Sequence, residues 1–120
     1  MDHHKLVLPE HINQHGFLFG GYLLQWIDEF AWITATVDYP GLRFVTVAME
    51  NVQFRRGIDM GEVLRFVVDR DGTGCTSVRY RVRAHGIVRQ PDPATVLFET
   101  TVTFVNVDAA GRKAPLAGPA

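Results

Sequence analysis

One helix constrains what this chain can become. From Gly21 to Val37 the apolar residues recur at three- and four-residue steps, with Leu23, Ile27, Phe30, Ala31 and Thr34 along one face. That is the α-helical period. Leu24, Trp26 and Ile33 add apolar surface on its other sides. A helix apolar nearly all round must be enclosed by the rest of the chain, and Pro40-Gly41 ends it.

The rest of the chain reads as strand. Lys5 to Leu8 is a short strand candidate stopped by Pro9, and the polar run Glu10 to Gly16 follows as a loop. Arg43 to Phe54 is rich in Val, Thr and Phe, and Glu62 to Arg70 sets Leu64, Phe66 and Val68 on one side. Asp71-Gly72-Thr73-Gly74 reads as a turn. Thr76 to His85 then alternates strictly, with Thr76, Val78, Tyr80, Val82 and Ala84 against Ser77, Arg79, Arg81, Arg83 and His85. This is a sheet with one dry and one wet face. Pro91-Asp92-Pro93 makes the next turn, and Thr95 to Val107 is the last long strand. The Ala-, Gly- and Pro-rich residues from about 108 to 120 read as a mobile tail.

Hairpin-sized turns predict antiparallel pairing, and the helix has to lie on the dry face of a curved sheet. The expected class is α+β, a curved antiparallel sheet wrapped around one long central helix, the hotdog architecture. With 120 residues, one domain over 1–120 is expected. The composition is 47% hydrophobic and 21% charged, with a net charge of −1. It excludes a disordered chain and offers no basic stripe for nucleic acid. The single cysteine, Cys75, allows no intrachain disulfide and reads as a small turn residue. The N-terminus lacks a charged segment followed by an apolar run, and no apolar stretch reaches membrane-spanning length. A cytoplasmic protein is expected.

Chemistry has few candidates. Asp28 and Glu29 are the two acids in the helix core, about 100° apart around its axis. A carboxylate in an apolar helix is costly unless it is paired, hydrogen-bonded or placed in a cleft; spacing alone also permits a solvent-facing strip. Gly16, Gly20 and Gly21 leave bare backbone at the helix start. N–H groups there attract negative charge and can hold an oxyanion, while a tight loop would equally want glycine. His3, His4, His11 and His15 are dispersed, without the i, i+4 spacing of a zinc helix, so no metal is expected. Tyr22, Trp26 and Trp32 read as core or interface packing.

The run Asn13-Gln14-His15-Gly16-Phe17-Leu18-Phe19-Gly20-Gly21-Tyr22-Leu23-Leu24-Gln25-Trp26-Ile27-Asp28-Glu29 resembles the signature of the YciA-type and brain-type acyl-CoA thioesterases. In that pattern an Asn, a Gly, an aromatic residue or His, a Gly-Gly and an Asp fall at these intervals. Phe44-Val45-Thr46-Val47, Val52-Gln53-Phe54, Gly74-Cys75-Thr76-Ser77-Val78 and Thr103 to Asp108 with Gly111-Arg112 resemble later segments of the same family, in order. Phe17 departs from it, standing where many relatives carry a small or polar residue, and the C-terminal extension is short.

The resemblance implies an acyl-CoA thioester hydrolase that needs no cofactor, coenzyme A (CoA) being part of its substrate. It implies a homodimer with edge-joined sheets, assembled further into tetramers or hexamers, and active sites at the dimer interface. Asp28 would be general base or nucleophile, and Asn13 of the partner subunit would orient water or carbonyl. Gly16, Phe19, Gly20, Gly21, Thr46 and Phe54 would bind substrate or oxyanion. From their position just after the second strand, Arg55 and Arg56 could meet the CoA phosphates or equally be solvated turn arginines; Thr76 and Ser77 are expected as further CoA contacts. Arg79, Arg81 and Arg83 read as a solvated or oligomer-contact face. Two other readings remain open: a hotdog dehydratase or hydratase using His15, and a module that binds acyl-CoA without cleaving it.

Overall fold

The computed structural model describes residues 1–116. Strand β1 (Asp2–Leu6) leads through a single 3-10 turn at Pro9–His11 to helix α1 (Gly20–Asp38). Strands β2 (Phe44–Phe54), β3 (Val63–Thr73), β4 (Ser77–Gly86) and β5 (Val96–Asn106) follow. They form one five-stranded sheet in the order β1-β3-β4-β5-β2, antiparallel at every pairing. β1 and β2 are therefore its edges.

Burial of the helix organises the core. Leu23, Trp26, Ile27, Ala31 and Ala35 on α1 join Leu64, Phe66 and Val68 of β3, Val78, Tyr80, Val82 and Ala84 of β4, and Phe98, Val102 and Phe104 of β5 in one cluster. The sheet curls over the helix, as the apolar surface on both demands. The alternation read in β4 holds: Val78, Tyr80, Val82 and Ala84 are buried, and Arg79 and Arg81 are exposed. Tyr80 keeps its hydroxyl satisfied by donating to Asp38 Oδ2 at 2.7 Å. Burial first, and that hydrogen bond second, push its pKa above the ordinary tyrosine value.

Three boundaries differ from the sequence reading. β1 begins at Asp2 rather than Lys5, because it pairs with β3 from Asp2↔Val67 to Leu6↔Val63, and the Met1 ammonium donates to Val68 O at 2.8 Å. The turn read at Asp71–Gly74 is displaced. β3 runs to Thr73 with a bulge between Arg70 and Gly72, and the reversal is closed by Gly74 N donating to Ser77 O at 2.8 Å. Gly72, at φ +142°, serves the bulge rather than the turn.

The third concerns the tail read over about 108–120. Residues 108–116 are strapped to the sheet end. Ala114 N donates to Asn106 O at 2.9 Å and Leu116 N to Cys75 O at 3.0 Å. The buried Asn106 side chain donates to Ala114 O at 3.3 Å and Pro115 O at 3.1 Å. A strand-ending asparagine pins what composition alone read as frayed. The rest of that reading, 117–120, lies outside the described residues.

Glu62, just before β3, is 1% exposed. Its Oε1 accepts from Val63 N and Val88 N, each at 2.9 Å, and its Oε2 accepts from Arg89 N at 3.0 Å. One carboxylate thus satisfies backbone donors of the β4–β5 connection. Glu62→Ala is expected to lower unfolding free energy by about 2–4 kcal/mol, from orphaned donors and lost charge-assisted bonds. Urea denaturation checks this, and Glu62→Gln, which keeps an acceptor oxygen, should lose less.

Candidate functional site

The helix start is held open by what precedes it. Phe19 is the N-cap of α1 and supplies no side-chain cap. Its own N–H donates to His11 O at 2.9 Å, and its carbonyl takes Tyr22 N at 3.1 Å. The amides of Gly20 and Gly21 are then the helix-start donors without a partner among the described residues. The Phe19 amide is engaged and is not among the free donors. His11, grouped with the dispersed histidines by sequence, is buried between the Tyr22 and Trp26 rings. Its Nδ1 accepts from Leu8 N at 3.0 Å. It fastens the segment leading into the helix, and the only sequence signal for it is its place three residues after Leu8, at the end of a proline turn.

Asn13 organises the loop before the helix. Its Oδ1 accepts from His15 N at 2.9 Å and Phe17 N at 3.1 Å, which orients the amide so that its NH2 end is left to offer a ligand. Gly16 turns the chain at φ +87°, so its part is in the turn. Leu18 N donates to Ile58 O at 2.7 Å, docking this loop on the β2–β3 connection. Between them lies an open cleft of about 460 Å³ lined by Asn13, Leu18, Gly20, Phe54, Arg55, Arg56 and Gly57. Five predicted residues, Asn13, Gly20, Phe54, Arg55 and Arg56, thus meet on one surface.

Asp28 lies elsewhere on the same helix. It is half-buried, while Glu29 is exposed, which resolves the ambiguity left by their spacing. Thr46 Oγ1 of β2 donates to Asp28 Oδ1 at 2.6 Å. One turn further on, Trp32 Nε1 donates to Phe44 O at 3.3 Å, so this helix flank holds β2. Asp28 stands eight residues after Gly20, about 12 Å along the axis. A carbonyl that touches both a base and an oxyanion donor needs each within about 3 Å. One chain therefore cannot present Asp28 and its own Gly20 amide to the same atom.

Arg55 lies 3.8 Å from Glu99, whose other oxygen takes Arg81 at 2.7 Å. The hydrogen bond from Arg81 holds the Glu99 carboxyl below its ordinary range. Arg56 makes no ion pair among the described residues. Thr76 and Ser77 do not join these arginines within the chain. Ser77 pairs with Val105, which pairs with Val45 at the start of β2, whereas Arg55 follows its end, about 30 Å away by strand rise. Within one chain Thr76 and Ser77 thus stand apart from Arg55 and Arg56. Among the described residues no three His, Cys, Asp or Glu side chains are placed to hold a metal ion.

The Thioesterase superfamily model matches residues 15–90, from the Asn13 loop through β4 to its following turn. The chain belongs to that superfamily. This thioesterase-superfamily chain is 31% identical over 113 residues to an uncharacterized acyl-CoA thioester hydrolase, YkhA, of Bacillus subtilis, covering 92% of itself and 63% of that protein. It superposes on an acyl-CoA hydrolase from Staphylococcus aureus, solved with butyryl coenzyme A and coenzyme A, with a TM-score of 0.83 and 28% identity, covering 98% of this chain and 69% of that one. The hexameric thioesterase y2039 from Yersinia pestis gives a TM-score of 0.85 at 25% identity, covering 97% and 93%. Some curated relatives are far longer, the chain spanning 10% of one and 14% of another.

In this thioesterase-superfamily chain the double acceptance by Asn13 Oδ1 is a structural role separable from any chemistry. Asn13→Ala should speed hydrogen exchange of the His15 and Phe17 amides, each having lost a bond worth about 1 kcal/mol. Asn13→Asp, still an acceptor for both, should keep them protected; amide exchange by NMR checks the pair.

Proposed function

We propose that this chain is an acyl-CoA thioesterase whose active site is shared between two copies. The observation that carries the reading is the separation along α1. Asp28 sits against β2 with Thr46 at 2.6 Å, while the unpartnered Gly20 and Gly21 amides lie about 12 Å back along the helix. A second copy, set antiparallel along the first, would bring its Asp28 toward the Asn13 and Gly20 of its neighbour.

The proposed chemistry uses few groups. Thr46 fixes one oxygen of Asp28, and the other takes the proton of a water attacking the thioester carbon. Asn13 of the facing subunit orients that water or the carbonyl. Negative charge gathering on the carbonyl oxygen is met by the helix-start amides of Gly20 and Gly21. The carbon–sulfur bond then breaks, Asp28 passing its proton to the departing sulfur, and a carboxylic acid and the CoA thiol are released with Asp28 ionised again. Arg55 and Arg56 at the cleft mouth supply positive charge for the CoA phosphates. No metal or cofactor enters this scheme. His15, exposed and 3.4 Å from Gln14 Nε2 in the loop, has no part in it.

An unpaired edge supports the assembly. Val45, Val47, Val52 and Phe54 of β2, together with Trp32, are exposed. Such an apolar strand edge calls for a partner. A homodimer joined along β2 is the minimal unit proposed, with the hexamer of the Yersinia protein as the larger form expected. A cytoplasmic location, read from the N-terminal sequence, stays part of this proposal. Among the described residues no helix is long and apolar enough to cross a membrane.

Thiol release from acyl-CoA tests the reading. Asp28→Ala and Asp28→Asn should each lower turnover about 10²–10⁴-fold, the usual worth of a general base, in a protein that remains an oligomer by light scattering. Two inactive variants should also complement. Unfolding and refolding Asp28→Ala together with Asn13→Ala should restore about a quarter of wild-type activity, since random C2 pairing leaves half the dimers with one intact site of two. No recovery from a well-mixed dimer would count against the shared site.

A further inference from the structure

The loop that carries Asn13 is tied together within itself. Ile12 and Leu18 form an antiparallel bridge. Asn13 N donates to Phe17 O at 2.7 Å, and Gly16 N donates to Asn13 O at 3.1 Å. With the two bonds into Asn13 Oδ1, residues 12–18 hold as one piece. Where that piece stands relative to the Gly20 and Gly21 amides is then set at its base, and the base is His11.

His11 is a buried imidazole that the proposed chemistry leaves unused, and it is fixed from two sides. His11 N donates to Leu8 O and Leu8 N donates to His11 Nδ1, each at 3.0 Å. This reciprocal pair closes the Pro9 turn and requires the Nε2–H tautomer of the ring. The ring is 6% exposed. It packs in T-shaped geometry on Tyr22 and Trp26, with centroids 4.9 and 4.8 Å away. Those two rings belong to the first turns of α1. The His11 carbonyl accepts from Phe19 N at 2.9 Å, in the residue just before the free amides. One side chain and its own carbonyl thus tie the Asn13 loop to the helix start.

We propose that His11 is a positioning residue for thioester hydrolysis, setting Asn13 in register with the Gly20 and Gly21 amides so that they address one carbonyl. This rests on the thioesterase reading above. Asn13 and Gly20 line the same cleft, whereas Asp28 comes to them from the second copy. The pair is therefore the part of the site that one chain sets before the other arrives. A displacement of about 1 Å between groups that serve one transition state costs about 10²-fold. Arg55 and Arg56 come from the end of β2 rather than from this loop, so the loss falls on kcat rather than on KM.

The test is thiol release in His11→Ala, His11→Asn and His11→Phe. The alanine variant loses both ring and acceptor, the asparagine variant returns an acceptor oxygen at the Nδ1 position, and the phenylalanine variant returns the ring. In His11→Ala kcat should fall about 10²-fold with KM within about threefold of wild type, and each of the other two should lose less. Mixed refolding separates positioning from general damage. His11→Ala with Asp28→Ala should recover about a quarter of wild-type activity, and with Asn13→Ala nothing above the parents, because His11 and Asn13 serve the same half of the site. Unchanged kcat in folded His11→Ala, a loss confined to KM, or recovery with Asn13→Ala overturns the proposal. So does a failure to recover with Asp28→Ala when the Asn13→Ala and Asp28→Ala pair does recover. If circular dichroism finds His11→Ala unfolded, the Asn and Phe variants carry both measurements. No recovery from the Asn13→Ala and Asp28→Ala pair overturns the shared site itself, and a wild type that releases no thiol overturns hydrolysis and the His11 role together.

Discussion

A helix with too little polar surface to meet water has to be wrapped, and most of this molecule follows from that requirement. The β3, β4 and β5 strands supply the apolar lining, and their alternation turns Val78, Tyr80, Val82 and Ala84 inward while leaving arginines outside. The wrapping is incomplete on one flank. There β2 is attached through Thr46 to Asp28 and through Phe44 to Trp32. The same constraint that builds the core thus leaves one carboxylate half-covered beside an open strand edge. The stability of the enclosure and the incompleteness of the flank are two sides of one packing problem.

Much of the architecture was legible in the residues because the two hydrophobic periods are distinct. The 3.6-residue stripe of α1 and the two-residue alternation of β4 each have a long run in which to declare themselves. What failed was local. Gly72 reads as a turn glycine, yet its positive φ serves a bulge inside β3. Periodicity cannot tell the two uses apart, since both need the same backbone freedom. Composition registers the Ala, Gly and Pro after β5 but not the buried Asn106 side chain that bonds Ala114 and Pro115.

The candidate site divides along similar lines. Asn13, Gly20, Phe54, Arg55 and Arg56 come together because the loop before α1 docks on the connection after β2. That docking is long-range, and no spacing rule announces it; the family resemblance pointed to Asn13 and Gly20, and Arg55 and Arg56 were read from their place after a strand. Helical spacing alone left Asp28 and Glu29 equivalent; the resemblance singled out Asp28, and β2 covers it while leaving Glu29 exposed. Thr76 and Ser77 lie at the other end of the sheet from Arg55 and Arg56, a separation set by register that a short motif does not announce. The buried roles of His11 and Glu62 were not legible. Both are polar residues inside the protein, and a sequence shows a buried polar group only through partners that lie far along the chain.

The strap formed by residues 108–116 fixes where the chain leaves the sheet. Leu116 is bonded to Cys75, beside the β3–β4 reversal, at the end of the sheet away from Arg55 and Arg56. Leu116 is thus anchored a full strand length from the cleft mouth of its own chain, and one asparagine at the end of β5 keeps the approach to Arg55 and Arg56 clear of residues 108–116.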